Sequence, residues 1–296
     1  MEQRRYRDKL ISFSFILPAI LVVGLLLFFP VVTSLFFSFT SKHLIKPNYD
    51  FVGFANYIKI LNDAAFWHAF FTNIKWTVFS LAGQILVGFT AALALERIRH
   101  FKGLFRTVLI IPWAFPTIVI AMSWKWILNG VSGFLPNFLV DAGILQTIPQ
   151  FLSSADLVFM TVVCINIWFG SPLIMVNVLS ALQTVPKDQY EAAQIDGASS
   201  WQSFVRITLP HIRIVIGLLI VLRTIWIFNS FDMIYLLTGG GPAGLTQIVP
   251  IYAYNLGWGL KQLAQSSAVT VLLLVFLLAV CTLYFRLLNK WEREGA

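Results

Sequence analysis

Pro186-Lys-Asp-Gln-Tyr-Glu191-Ala-Ala-Gln-Ile-Asp-Gly197-Ala-Ser-Ser-Trp201-Gln-Ser-Phe-Val-Arg-Ile207-Thr-Leu-Pro210 is a polar island between two long apolar stretches. Its local chemistry predicts two short helices bent at Gly197. Pro186 suits the first turn of a helix, where its missing N–H leaves nothing unsatisfied. Asp188 and Glu191 fall in the early turns, where the helix dipole favours negative charge. Gly197 suits the position just past a helix end, which often needs a left-handed backbone. Ser199 can cap the next helix, with Gln202 as its reciprocal partner. Trp201, Phe204 and Val205 give that helix an apolar side. Pro210 is expected to end it and to start the turn into the next span.

Outward from this island the chain is mostly hydrocarbon. Hydrophobic residues make up 58% of its 296 residues and charged residues 11%. Soluble domains average about 45–50% and about 25%. Mean hydropathy is +0.80. Packing in water would leave too much apolar surface uncovered, so this composition calls for a lipid bilayer. Stretches free of charge run over residues 10–41, 76–95, 107–124, 157–186 and 262–285, and residues 214–231 are broken only by Arg223. A spanning helix takes about 17–25 such residues. The expected architecture is therefore all-α and integral to the membrane, one domain over residues 1–296 with six spans. They fall at about 11–38, 74–95, 106–128, 158–182, 213–236 and 264–286, with a two-helix loop at 184–211. The first apolar run exceeds the core of a cleaved signal peptide, about 7–15 residues, and is read as the first span.

Net charge is +8. In a soluble protein this would suggest nucleic acid; here the basic residues are read as setting topology, with no nucleic-acid partner. Arg4, Arg5, Arg7 and Lys9 precede the first span. Arg97, Arg99, Lys102 and Arg106 follow the second. Lys187 and Arg206 lie in the polar island with Arg213 just after it, and Arg286, Lys290 and Arg293 are at the tail. The segment 129–157 has no Lys or Arg at all. Lys42, Lys46, Lys59, Lys75, Lys125 and Lys261 fall to the other side. The bias puts both termini and the island in the cytoplasm, which an even number of spans requires.

Several chemistries are missing. No G-x-x-x-x-G-K-S/T occurs, so the chain lacks that route to ATP. Gly239-Gly-Gly241-Pro242 reads as a helix terminator. No H-E-x-x-H is present, and the four histidines, His43, His68, His100 and His211, lie in loops or at span ends. No metal site is expected. Cys164 and Cys281 both fall inside expected spans, which argues against a disulfide scaffold.

Polar residues inside spans usually face a bundle interior or a cavity. In the fourth span Asn166, Gly170, Leu173, Asn177 and Ser180 share one helical stripe. Asn177 and Ser180 read as glue between helices. In the fifth, Arg223, Trp226, Ile227 and Ser230 share a stripe, with Asn229 and Asp232 on other faces. Arg223 could pair with Asp232 or with backbone carbonyls.

Glu191-Ala-Ala, Gly197, Ile207 and Leu209-Pro210 resemble the cytoplasmic loop signature of permease subunits in binding-protein-dependent, ATP-driven importers. The resemblance implies the fold of type I ABC importer permeases, with the loop seated in a cleft of the ATPase. Glu191 would make the charged contact, with Asp196 beside the bend. Ala192 and Ala193 would allow close approach. Gly197 would set the bend, so that any side chain there would spread the helices, and Leu209 and Pro210 would close the motif. Asn166-Ile-Trp-Phe-Gly-Ser-Pro172 resembles the sugar-contacting helix of maltose-type permeases. That implies a substrate site from Asn166, Phe169, Gly170, Leu173, Arg223, Trp226 and Ile227. Leu173 and Ile227 stand where the family has polar or aromatic groups, and Arg223 where it has a small hydroxyl. Phe228-Asn-Ser-Phe-Asp232 and Leu237-Thr-Gly-Gly-Gly-Pro242 resemble the first of the two permease types in carbohydrate importers. The family implies a second, homologous permease, a dimer of ATP-binding subunits carrying ATP and Mg, an external solute-binding protein and a carbohydrate cargo. It also implies the bacterial inner membrane, and neither cofactor nor catalysis in this chain. The alternative is an ion-coupled secondary transporter, which would want an acidic residue deep in a span.

Overall fold

The computed structural model describes residue 13, residues 15–98 and residues 100–294. Arg4, Arg5, Arg7, Lys9 and Arg99, and the first residues of the expected span 11–38, lie outside the described residues. The helices are α1 (Phe15–Ser38), α2 (Ala55–Leu61), α3 (Ala64–Arg97), α4 (Lys102–Ala114), α5 (Thr117–Ile127), α6 (Phe134–Asp141), α7 (Val158–Leu182), α8 (Lys187–Ile195), α9 (Ser200–Phe228), α10 (Phe231–Thr238), α11 (Val249–Tyr254) and α12 (Leu263–Glu294). Among the described residues no strand forms, only an isolated bridge between Thr40 and Phe51. The chain is all-α, as its composition requires.

Five of these helices, α1, α3, α7, α9 and α12, are long and apolar enough to cross a membrane. The α4–α5 pair makes a sixth crossing only as a broken one, bent by 91°. The sequence reading had a single span over 106–128. Phe115 is extended (ψ 147°), as a residue before proline prefers, and Pro116 has no N–H to continue the ladder.

The chain divides into two compact units. One holds the described residues up to Phe66 together with Tyr252–Phe276. There the end of α1 is closed by Asn56, whose Nδ2 donates to the carbonyls of Ser38 and Thr40, each at 2.8 Å. That of Ser38 is one a helix end leaves without a partner. The Tyr252 hydroxyl donates to Asp63 Oδ2 at 2.7 Å. Burial, then the hydrogen bond and charge of Asp63, hold that phenol above its ordinary pKa.

The other unit holds Trp67–Ile251 and the end of α12. Its centre is α7, packed closely on α3. A Cβ on Gly88 would come within 2.7 Å of the Ser171 carbonyl oxygen, and one on Gly83 would overlap Ile167. Small residues let two backbones approach, which is how helices associate where lipid removes the hydrophobic drive. Apolar clusters fill both ends of α7. One gathers Trp76, Val162, Ile165, Ile227 and Met233; the other gathers Leu95, Ile174, Val178, Leu182 and Ile212.

Candidate functional site

The expected fifth span, 213–236, is not one helix. It stops at Phe228 and restarts at Phe231. Asn229 Nδ2 bonds the Ile225 carbonyl at 2.9 Å, the kind of local side-chain bond that competes with a helix. The carbonyls at the break are taken by α3. Trp76 Nε1 donates to Ile227 O at 3.0 Å, and Asn73 Nδ2 to Phe228 O at 3.2 Å. Asn73 Oδ1 in turn accepts the Val249 N–H at 3.0 Å. Irregular backbone at membrane depth persists only where protein or a cavity receives it, and both are present.

The cavity lies at this break, with a volume of about 230 Å³. That is just under the span of about 300–1,000 Å³ typical of small-molecule sites. Asn166 and Phe169 of α7 line it, with Arg223, Trp226 and Ile227 of α9. The kink adds Asn229 through Met233, and α5 contributes Thr117. Arg223 is buried at 5% exposure. Its Nε and Nη2 both donate to Gln84 Oε1, at 2.9 and 2.6 Å. Gln84 Nε2 donates to the Asn166 carbonyl at 2.9 Å. The guanidinium lies 5.7 Å from the Trp226 ring. Arg223 therefore pairs with neither Asp232 nor a backbone carbonyl. Asn166 Nδ2 is buried without a partner. An orphaned buried donor costs about 1–3 kcal/mol.

The island 186–210 carries the predicted bend. Helix α8 begins at Lys187, so Pro186 is its N-cap rather than a residue of its first turn as expected. It ends in a Schellman turn. Ala198 N–H bonds Ala193 O at 2.9 Å and Gly197 N–H bonds Gln194 O at 3.1 Å, with Gly197 at φ +76°. Ser199 and Gln202 form the reciprocal cap, at 2.7 and 3.3 Å. Two expectations need correcting. Nothing lies within 4 Å of a Cβ built on Gly197, so no crowding in this chain would spread the helices; the demand for glycine comes from φ alone. Pro210 does not end the second helix either. Helix α9 runs unbroken from Ser200 to Phe228. It takes a π-helical turn at Phe204–Thr208, where Leu209 N–H reaches back to Phe204 O. The wider turn covers the residues whose carbonyl a proline ring would strike and whose bond it cannot make. Glu191, Ala192, Asp196, Gly197, Leu209 and Pro210 are exposed, and Ala193 is half-buried. Ile195 (87%) and Trp201 (71%) are largely bare, an apolar pair on a polar loop.

Residues 84–293, from Gln84 in α3 to the end of α12, match the model of the binding-protein-dependent transport system inner membrane components. The chain belongs to that family. Relatives extend the match to nearly full length. The trehalose/maltose transport system permease MalF of Thermococcus litoralis is 32% identical, over 98% of this chain and 97% of its own. The diacetylchitobiose uptake system permease DasB of Streptomyces coelicolor is 31% identical, over 96% and 88%. The structure of a bacterial ABC transporter involved in the import of the acidic polysaccharide alginate superposes with a TM-score of 0.86. It covers 97% of this chain and 98% of that one at 21% identity, which speaks for the fold.

Within this transport-system component, five of the seven expected substrate residues meet at one cavity: Asn166, Phe169, Arg223, Trp226 and Ile227. Gly170 stands behind them, and Leu173 does not line the cavity. Asn177 bonds its own helix, Nδ2 to Leu173 O at 2.8 Å. The sequence reading missed Gln84, though it is the one amide in the uncharged run 76–95. It placed Asn229 and Asp232 on other faces because it assumed an unbroken helix. Ile195 was also missed. Among the described residues no His, Cys, Asp or Glu group could hold a metal.

Proposed function

We propose that this chain is the membrane-spanning permease of an ATP-driven carbohydrate importer, forming half of the pore and driven by a separate ATPase. Full-length relatives with the names of trehalose, maltose and diacetylchitobiose systems support the cargo class. One observation carries the reading. The island that bends at Gly197 and the cavity at Arg223 share a single continuous helix, α9. Over the residues between Ser200 and Trp226 such a helix spans about 40 Å, unbroken through the π turn. Glu191, Ala192, Ala193, Asp196 and Gly197, with Ile195 and Trp201, make the face on which the ATPase docks. Leu209 and Pro210 sit where the π turn hands the motion to the span. In the cavity Asn166 and Arg223 donate to sugar oxygens, and Phe169 and Trp226 offer faces to the ring's apolar side. A second permease completes the pore, an external binding protein delivers the solute, and ATP and Mg reside on the ATPase dimer. The loop and both termini face the bacterial cytoplasm.

Affinity capture from detergent is expected to bring down a P-loop ATPase and a homologous permease. Heat is expected to release a carbohydrate from the associated binding protein. Capture without any ATPase, together with uptake that continues in ATP-depleted vesicles, would overturn the importer and favour an ion-coupled carrier.

A further inference from the structure

Arg223 is a long, flexible cation inside a span, and among the described residues its one hydrogen-bond partner, Gln84, is neutral. Among the described residues no carboxylate lies within 4.0 Å of it. Intramembrane charges are costly and take defined partners, and an unheld arginine side chain samples many rotamers. One amide oxygen does the holding: Gln84 Oε1 accepts both Nε and Nη2. Gln84 is itself pinned, through Nε2 to the Asn166 carbonyl, and it is fully buried and outside the cavity wall. Gly170 makes the meeting feasible, since a Cβ there would come within 2.3 Å of both Arg223 Nη2 and Gln84 Nε2. Three helices, α3, α7 and α9, thus fix one guanidinium edge. Arg223 and Asn166 both line the cavity, and Asn166 Nδ2 is left without a hydrogen-bond partner.

We propose that Gln84 is the positioning residue of the cargo site. It holds Arg223 so that its free N–H edge and Asn166 Nδ2 form one donor pair for two neighbouring oxygens of the transported solute. The inference rests on the cavity being the cargo site. Without Gln84 the guanidinium swings, the donor pair is lost, and a pore cycle no longer captures the solute that the binding protein releases.

The test uses the importer purified whole with its partner subunits and reconstituted in proteoliposomes. The probe is the solute that heat releases from its own binding protein, tritium-labelled. Gln84→Leu keeps the volume and removes the acceptor. It is expected to raise the ATP hydrolysed per solute carried by about tenfold or more, the scale of a misplaced contact. Gln84→Glu gives Arg223 an acceptor again and is expected to restore the wild-type ratio. A wild-type ratio in Gln84→Leu overturns the proposal. So does a loss that Gln84→Glu leaves unrepaired, because that marks a packing role. If Gln84→Leu does not assemble, Gly170→Ala decides: it parts the same pair from the other side, and a wild-type ratio there is equally fatal. A non-carbohydrate released from the binding protein would end the sugar reading and leave Gln84 to be judged on that solute. Absence of ATP-driven uptake in the wild type sinks both.

Discussion

Two glycines do opposite work. Gly197 holds a left-handed φ of +76° in open space, whereas Gly170 sits in an ordinary helix with no space at all. A side chain at 197 meets strain of about 1–2 kcal/mol and no clash. Gly197→Asp is therefore expected to insert and still to abolish transport, because the new group projects onto the face proposed to dock the ATPase. Uptake measured against membrane-inserted protein checks this, and normal uptake would remove the coupling role. Gly197→Asn, which tolerates the left-handed region, should lose less than Gly197→Val. The bend at 197 was legible in the sequence because a Schellman turn and a capping box are local chemistry. The reason for Gly170 was not, because Gln84 and Arg223 approach it from far along the chain.

At the scale of elements, long spans announced themselves and their interruptions did not. Charge-free runs placed α7 and α12 closely, whereas α3 starts at Ala64 rather than near 74 and α9 runs from Ser200 to Phe228 rather than over 213–236. The halt at Asn229 carries no proline or glycine, and what stabilises it is α3. Asn73 is fully buried and links Phe228 O to the Val249 N–H. Asn73→Leu keeps the size and strands both groups. It should lower the stability of the detergent-purified chain by about 1–3 kcal/mol, read as an earlier thermal transition. An unchanged transition would mean that the break holds without α3. Pro210 shows the converse. The residue read as a stop is carried through by the π turn, whose buried Thr208 shares a 2.6 Å hydrogen bond with the Tyr190 hydroxyl of α8. Tyr190→Phe removes that strut between α8 and α9. It should leave insertion intact and lower the solute carried per ATP in reconstituted vesicles; an unchanged ratio would exclude Tyr190 from force transfer.

For the molecule as a whole, the side of the membrane follows from charge. Segment 129–157 has no Lys or Arg, while the loop after α7 carries Lys187 and Arg206. Between them runs α7, whose length of about 37 Å exceeds a hydrocarbon core of about 30 Å. If α7 crosses, the two segments lie on opposite faces, and the positive-inside bias assigns the basic one to the cytoplasm. Membrane-impermeant maleimide tests this directly. Cys164 is exposed, so both native cysteines are first replaced by serine. Val131→Cys, at a position 86% exposed, should label in intact cells. Lys187→Cys should label only after the membrane is opened. The reverse pattern would invert the pore and take the Gly197 bend out of reach of any cytoplasmic ATPase. Labelling of both from one side would mean that α7 does not cross, and with it would go the cavity at its centre.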